Sequence, residues 1–385
     1  MKIGIDVFGG NHGRSGIGSY LNSIVSNIPE DISHQVEIFG SEIDRYDFNK
    51  NNNFSFYGFS MEDGSLAEKL WHIFTLPSFV RKREYDVVLY NVGSNISPFV
   101  GNAKGVAVVQ EVISKSIKKV DNIFIKKSLI SSLNKATKII AASQFIRKDL
   151  VSLGIDNEKI SVIHNGLNHS YFYPHTELEG ETVNISPFSI KRPFFIYASR
   201  LSGPEKKHIE LIKAFSMFKK KTGLPHRLVL AGSEGSSSKE IHKVIAHSEY
   251  SSDILLVGHF PHVNLPKLYS CAEACIFPSV AEGVGLPVIE AMATGIPVLC
   301  AKAGSLPEIA GECAVYFDPD NIDELSNLMI QITEDTKLRK KIISSGLDWV
   351  KRFSWEKTAT KTIEVLESVV KWKKVFTFGK DLFSF

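Results

Sequence analysis

One repeated pattern constrains this chain more than any other feature. Short runs of apolar, largely β-branched residues recur between helix-length amphipathic segments. In the first half they are 2–8 (KIGIDVF), 36–39 (VEIF), 86–90 (DVVLY), 106–112 (VAVVQEV), 138–142 (KIIAA) and 160–163 (ISVI). In the second half they are 193–198 (PFFIYA), 227–231 (RLVLA), 253–257 (DILLV), 274–277 (ACIF), 297–301 (PVLCA) and 314–317 (AVYF). The runs are near-continuous in apolarity rather than alternating. A strand that is apolar at successive positions is covered on both faces, as in a parallel sheet with helical crossovers. Two sets of six such strands predict an α/β chain of two doubly wound, Rossmann-like domains in series. The 385 residues leave room for both, at ~150 residues per domain. With 43% apolar and 23% charged residues, disorder, collagen and coiled coil are excluded as the main state.

The break between the two sets falls at 174–192 (PHTELEGETVNISPFSIKR). It is polar, holds two prolines and lacks helical period, so it reads as a linker. The expected organisation is a first domain over 1–175, a linker over 176–192, a second domain over 193–365 and a terminal helix or tail over 366–385. Ligands of doubly wound sheets bind at the carboxyl ends of strands, so chemistry is expected on loops that follow strands and open helices.

Charge and cysteine narrow the function class. With 45 basic and 42 acidic side chains the net charge is +3, which argues against a nucleic-acid binder. Cys271, Cys275, Cys300 and Cys313 contain no pair with the two-residue gap of a zinc or redox motif. They read as buried free thiols, which suits a reducing compartment. The N-terminal apolar run is too short for a signal peptide, and no stretch reaches the ~18 apolar residues of a membrane span. The expected location is cytoplasmic, soluble or peripheral.

Two clusters carry the chemistry. After the run 274–277 comes PSVAEGVGLPVIEAMATGIPVLCA. Glu282 falls in a loop, Pro287 suits the first turn of a helix, and Glu290 sits about one turn inside it. Gly283 and Gly285 permit close backbone approach, and the N–H groups near a helix start favour an anion. A loop carboxylate, a phosphate cradle and a helix carboxylate thus share one short stretch. By spacing alone, a strand–turn–helix unit with two solvated glutamates fits equally well. The second cluster, ASRLSGPEKKHIELIKAF, follows 193–198 and places Arg200, Lys206 and Lys207 at a helix start, where cations oppose the dipole. Binding a diphosphate is one reason for them; plain surface charge is the other.

Together these clusters resemble the family-4 retaining glycosyltransferases, the nucleotide-sugar-dependent group 1 enzymes of GT-B architecture. That family's pattern resembles G-R-L…K-[NG], then P-S…E-G-[FY]-G-L-P…E-A-M-A-x-G-x-P-V. It stands here as Ser199-Arg200-Leu201…Lys206-Lys207 and Pro278-Ser279…Glu282-Gly283-Val284-Gly285-Leu286-Pro287…Glu290-Ala291-Met292-Ala293. Ser143, Asn165-Gly166, Gly232, Gly258 and Leu306-Pro307-Glu308 continue the match, which covers about residues 1–365 and is strongest over 190–320.

The resemblance implies two Rossmann-like domains facing across a cleft, an acceptor side first and a donor side second, with the C-terminal helix packing back on the first domain. It implies transfer of a hexose, mannose or similar, from a nucleotide-diphosphate sugar to a growing glycan with retention. The acceptor it suggests is a lipid-linked bacterial surface polysaccharide such as O-antigen, capsule or exopolysaccharide. Arg200 and Lys206 would hold the donor diphosphate and stabilise its charge as it leaves. Glu282 would contact sugar hydroxyls, with backbone from Gly283, Val284, Gly285 and Leu286 meeting sugar and phosphate. Glu290 would bind the ribose, and the loop at Gly258–Phe260 would face the base. The loop FGGNHGRSGIGSY would close over the donor phosphates through Gly16. No metal and no cofactor beyond the donor substrate are implied, since the cations take that role. An epimerase or phosphorylase on the same architecture, or a non-catalytic scaffold in a glycan-assembly complex, are the alternatives. No pyridoxal-phosphate lysine motif supports a phosphorylase.

Two short patterns are set aside. Gly16-x-Gly18 suggests a dinucleotide site, but eight residues separate Phe8 from Gly16–Gly18, too far for that fingerprint. Asp318-Pro319-Asp320 matches the Asp-x-Asp of metal-dependent GT-A enzymes, but Asp320 reads as an N-cap or first-turn acid of the next helix. Two departures matter. Gln110-Glu111 stands where many members carry His-Asp near the acceptor, and Val284 where an aromatic is common. Charge is also uneven. Residues 104–148 hold ten basic and two acidic side chains, with Lys115, Lys119 and Lys126 on one face if 115–134 is helical. The tail KWKKVFTFGKDLFSF interleaves lysines with Trp372, Phe376, Phe378, Phe383 and Phe385. Both suit an anionic surface such as the inner face of the plasma membrane.

Overall fold

Each of the twelve apolar runs coincides with or overlaps a strand in the computed structural model, which describes residues 1–10, 16–48, 54–61, 65–92, 103–118, 123–175, 180–185, 187–258 and 262–378. The chain divides into two compact units, Met1–Gly166 with Phe353–Phe385, and Leu167–Arg352.

The first unit holds β1 (Lys2–Asp6), β2 (Gln35–Ser41), β3 (Ser55–Phe59), β4 (Val87–Asn91), β5 (Lys104–Val109), β6 (Lys138–Ala141) and β7 (Ile160–Val162). They form one parallel sheet in the order β3-β2-β1-β4-β5-β6-β7. The second unit holds an antiparallel hairpin of β8 (Thr182–Ile185) and β9 (Phe188–Lys191). Its sheet comprises β10 (Phe194–Ala198), β11 (Arg227–Ala231), β12 (Ile254–Gly258), β13 (Ala274–Phe277), β14 (Val298–Ala301) and β15 (Val315–Phe317), parallel in the order β12-β11-β10-β13-β14-β15. Both orders are doubly wound, and both reverse direction beside their first strand.

Three features differ from the sequence expectation. Strand β3 is absent from the apolar runs because Ser55 and Gly58 interrupt it. As an edge strand it buries Phe56 and leaves Tyr57 to Phe59 half-buried. The stretch expected as a linker over 176–192 contains the β8–β9 hairpin. Only Val183, Ile185 and Ile190 of that hairpin are buried, so its signal is a brief alternation inside a polar stretch. The return to the first unit comes at Phe353 rather than 366. The helix Trp355–Phe378 buries Trp355, Ala359, Ile363, Leu366 and Val369 in one core with Tyr20, Leu21 and Ile24 of the helix Gly16–Ser26. Thr358 Oγ1 donates to the His164 carbonyl (2.9 Å), and Lys104 Nζ donates to that of Val369.

The basic segment is described on either side of residues 119–122. It holds the helices Ile113–Lys118 and Ile123–Lys135, and Lys119 lies outside the described residues, as does the tail beyond Phe378. The common face expected for Lys115, Lys119 and Lys126 therefore rests on a stretch outside the described residues. Among the described residues no helix is long and apolar enough to cross a membrane. The four cysteines are buried and free, and burial pushes the Cys275 and Cys300 thiols far up.

Between β3 and β4 the chain is helical from Leu66 to Arg83, as Leu66–Leu70, a π-helical turn Trp71–Thr75, and Leu76–Arg83. Ser65 opens it by accepting the Glu68 N–H (3.1 Å). Trp71 packs on Phe8, Phe39 and Phe59. His72 Nδ1–H donates to the Glu68 carbonyl (2.9 Å), which aims Nε2 at Asp6 Oδ2 (3.1 Å) at the end of β1. Burial opposes protonation of this ring, but the Asp6 charge and hydrogen bond outweigh it and raise the His72 pKa. A raised folded pKa gives stability that is complete below the ordinary value of ~6.5 and is lost as pH rises through the folded value. The stability gap between wild type and His72→Gln should therefore be widest below pH ~6.5 and shrink by pH ~9. Urea midpoints at the two pH values check this; a constant gap would mean that the ring stays neutral.

Candidate active site

The order of the second sheet reverses between β10 and β13, which are direct neighbours. Loops leaving the carboxyl ends of two such strands diverge and leave a crevice, the usual ligand site of a doubly wound sheet. Both sequence clusters lie on these two loops.

The loop after β10 carries Arg200 and Lys206. Its backbone extends the sheet past the strand ends: Ser199 N–H donates to Ala231 O (2.8 Å) and Leu201 N–H to Ser233 O (3.0 Å). Arg200 is exposed, with Nε donating to the Glu234 carbonyl (3.3 Å). A short 3-10 turn, Pro204–Lys206, then leads into the helix His208–Thr222. Tyr197 Oη donates to the Lys206 carbonyl (3.0 Å), tying that turn to the strand.

The loop after β13 runs from Pro278 into the helix Leu286–Ala293. Gly285 takes φ +75° just before the helix, a left-handed conformation that a glycine adopts without strain. Pro287 lies in the first turn, as expected. The two loops are joined at two points. Val280 N–H donates to the Glu205 carbonyl (2.9 Å), and Lys206 Nζ meets Glu282 Oε2 at 2.8 Å with both side chains about one-fifth exposed. Residues 76 apart in sequence are thus brought together in one ion pair. Gly283 is buried, Val284 is half-buried, and Leu286 opens the helix. Glu290, one turn on, is only 8% exposed, which sets it apart from the solvated glutamate that spacing alone allows.

The remaining expected residues are placed as follows. Gly258 ends β12 with φ +64°, and its carbonyl accepts the Gly232 N–H (3.0 Å). Phe260 lies outside the described residues. Gly16 belongs to the other unit, where it opens the helix Gly16–Ser26. There too, Gln110 Oε1 accepts from Asn165 Nδ2 (2.8 Å), so the residue standing where many relatives have histidine holds the Asn-Gly motif.

Asp320 is not the cap of the next helix. Asn321 is, accepting the Glu324 N–H (3.1 Å). The Asp320 carboxylate instead meets Lys207 Nζ at 2.6 Å, and Asp318 Oδ1 accepts the Asp320 N–H (3.0 Å), so both acids of the Asp-x-Asp pattern have local partners. Lys207 adopts φ +55°, where the family pattern has glycine or asparagine. Its ammonium bridges Asp320 and Glu210 (3.1 Å), and these bonds, Asp320 first, raise its pKa despite some burial. No local signal marks Glu205 or Asp320 as partners of these loops, because their contacts join residues far apart in sequence. Among the described residues no three His, Cys, Asp or Glu side chains form a group that could hold a metal ion.

The chain matches two family descriptions, "Glycosyltransferase Family 4" over residues 14–171 and "Glycosyl transferases group 1" over residues 181–349. Between them they cover most of both units. The chain belongs to the family-4 glycosyltransferases. Among curated relatives, this glycosyltransferase is 29% identical over 241 residues to O-antigen chain mannosyltransferase B of Escherichia coli. That match takes in 62% of this chain and 63% of the relative, so the chain spans under two thirds of that relative's length. Among solved structures it is similar to sucrose-phosphate synthase of Thermosynechococcus elongatus, with a TM-score of 0.75 at 20% identity over 96% of this chain and 99% of the other. It is also similar to HepE of Anabaena in complex with UDP and glucose, with a TM-score of 0.73 at 20% identity over 96% and 100%. These likenesses show the GT-B fold.

Proposed function

We propose that this glycosyltransferase moves a hexose from a nucleotide-diphosphate sugar to a growing, lipid-linked glycan with retention at the anomeric carbon. Mannose is the sugar favoured, because the E. coli relative is an O-antigen chain mannosyltransferase. The observation that carries the reading is the Lys206–Glu282 pair, which joins the two loops where the order of the second sheet reverses. Half-buried and held by Glu282, Lys206 is a cation positioned before the donor arrives. Such preorganisation is what stabilising a leaving diphosphate requires.

Arg200 and Lys206 take the donor phosphates, and Glu282, released from Lys206, turns to the sugar hydroxyls. Backbone N–H groups from Gly283 to Leu286 meet phosphate and sugar at the helix start. Glu290 holds the ribose hydroxyls, and the backbone at Gly258, where β12 ends, meets the base. The sugar–phosphate bond breaks, the bond to the acceptor oxygen forms, and the acceptor proton leaves with the phosphate. Glu111, beside the Gln110–Asn165 bond, lies toward the acceptor. The chain works on the cytoplasmic side, at the membrane that carries the acceptor.

A panel of GDP-, UDP- and ADP-sugars tests this. One class of nucleotide sugar should raise the thermal midpoint, since a ligand that binds only the folded state stabilises it. The same donor should support transfer in the presence of EDTA. No midpoint shift with any donor would sink the assignment, and abolition by EDTA would replace the cation mechanism with a metal one. Turnover of the donor without acceptor to an epimeric sugar would favour the epimerase reading.

A further inference from the structure

The helical segment between β3 and β4 has an outward face that its packing leaves uncovered. Leu66, Leu70, Ile73 and Phe74 fall at i, i+4, i+7 and i+8, one stripe along a helix. They are 72%, 46%, 60% and 72% exposed. The inward face is complete without them, since Trp71, His72, Leu76 and Val80 are the buried residues there. Ile43 and Tyr46, also exposed, follow β2 at the end of the sheet where this segment begins. Six of the nine large apolar side chains exposed among the described residues thus fall within 43–74. Scattered apolar side chains need no explanation, but a concentration of them marks an interaction surface.

Charge selects the occupant. The exposed charged residues over 66–84 are Lys69, Arg81, Lys82 and Glu84, three cations to one acid, and the other carboxylate of the stretch, Glu68, is buried. An apolar stripe whose exposed charges are mostly cations suits a helix lying in the interface of an anionic bilayer. Its apolar side chains reach the acyl boundary and its cations meet lipid phosphates. A two-fold contact between copies through this face would set these cations against their own kind.

We propose that the outward face of 66–82 docks the chain on an anionic lipid surface, with Leu66, Leu70, Ile73 and Phe74 inserted and Lys69, Arg81 and Lys82 on the headgroups. The proposal rests on the glycosyltransferase reading only for its purpose, which is access to a lipid-linked acceptor. Docking itself is measured without substrate, so the two fail separately.

The full chain is floated with vesicles of phosphatidylglycerol and phosphatidylcholine, and with phosphatidylcholine alone. The wild type should float with the anionic vesicles. The double variant Ile73→Glu, Phe74→Glu should lose at least ~10-fold in bound fraction, because both side chains enter the interface. Lys69→Glu with Lys82→Glu should weaken binding and flatten its dependence on salt. All four positions are exposed, so urea midpoints should stay at the wild-type value and separate lost docking from lost folding. Flotation of the Ile73→Glu, Phe74→Glu variant at the wild-type level would overturn the proposal, as would equal binding to neutral vesicles. A wild-type dimer that this variant converts to monomer, with no flotation of either, would overturn it in favour of self-association.

Discussion

Replacing Lys206 by alanine should lower glycosyl transfer at least ~100-fold while the protein stays folded. Two losses act together. The cation proposed to meet the leaving diphosphate disappears, and removing one preorganised charge-stabilising group costs ~10²–10³ in rate. The variant also leaves Glu282, a carboxylate about one-fifth exposed, without the ammonium that now lies 2.8 Å away. Its negative charge then faces the site proposed for the phosphates. The second loss predicts a pattern that simple charge removal does not. Glu282→Gln on the Lys206→Ala background should recover donor affinity, measured as KM, but not turnover. Stability should move little, because a partly exposed pair contributes only ~0–1 kcal/mol. Near-normal turnover with Lys206→Ala would remove Lys206 from the catalytic machinery.

Most of the architecture was legible because both sheets are buried on two faces. A strand such as Leu228 to Ala231 or Ala274 to Phe277 is apolar at successive positions, and no turn or tertiary context is needed to recognise it. The exceptions have the opposite character. Strand β3 is an edge strand broken by Ser55 and Gly58, and the β8–β9 hairpin rests on three buried side chains. The two loop clusters were legible for a related reason. Each is contiguous in sequence and follows a core strand, so Arg200, Lys206, Glu282 and Glu290 could be tied to the carboxyl ends of β10 and β13 before any contact was known. What joins the clusters was not legible. The Glu205–Val280 hydrogen bond and the Lys206–Glu282 pair exist because β13 lies beside β10, and strand order is not a local property. Asp320 shows the same limit. Its position before a helix suggested a cap, but Asn321, one residue on, takes that role and frees Asp320 for a lysine 113 residues away.

Gly232→Ala should be the most damaging single methyl in the second unit, harming stability and transfer together. Gly232 follows β11, and its constraint is close approach. A Cβ there would lie 2.0 Å from the Ser199 carbonyl oxygen and 2.5 Å from its carbon. Real Cβ contacts essentially never fall under 3.0 Å, so the backbone on one side must shift by about an ångström. Neither side is free to shift. Ser199 is held by its N–H to Ala231 O, Leu201 by its N–H to Ser233 O, and Gly232 itself donates to Gly258 O. Overpacking of this kind costs ~1–3 kcal/mol, and each backbone hydrogen bond lost in relieving it adds ~0.5–1.5 kcal/mol. A loss of ~2–5 kcal/mol is therefore expected, read as a lower urea midpoint. The side that yields decides the functional outcome. The stretch 199–201 has left its strand and carries Arg200, whereas Gly232 is still bonded into the sheet edge through Gly258. The loop should move, taking Arg200 away from its proposed place on the donor phosphates. Well below the variant's own melting temperature, donor KM should rise and turnover should fall, although no catalytic side chain has been altered. A variant with wild-type midpoint and wild-type KM would show that the Ser199 carbonyl can yield freely, and that the Arg200 loop is not held by the sheet beneath it.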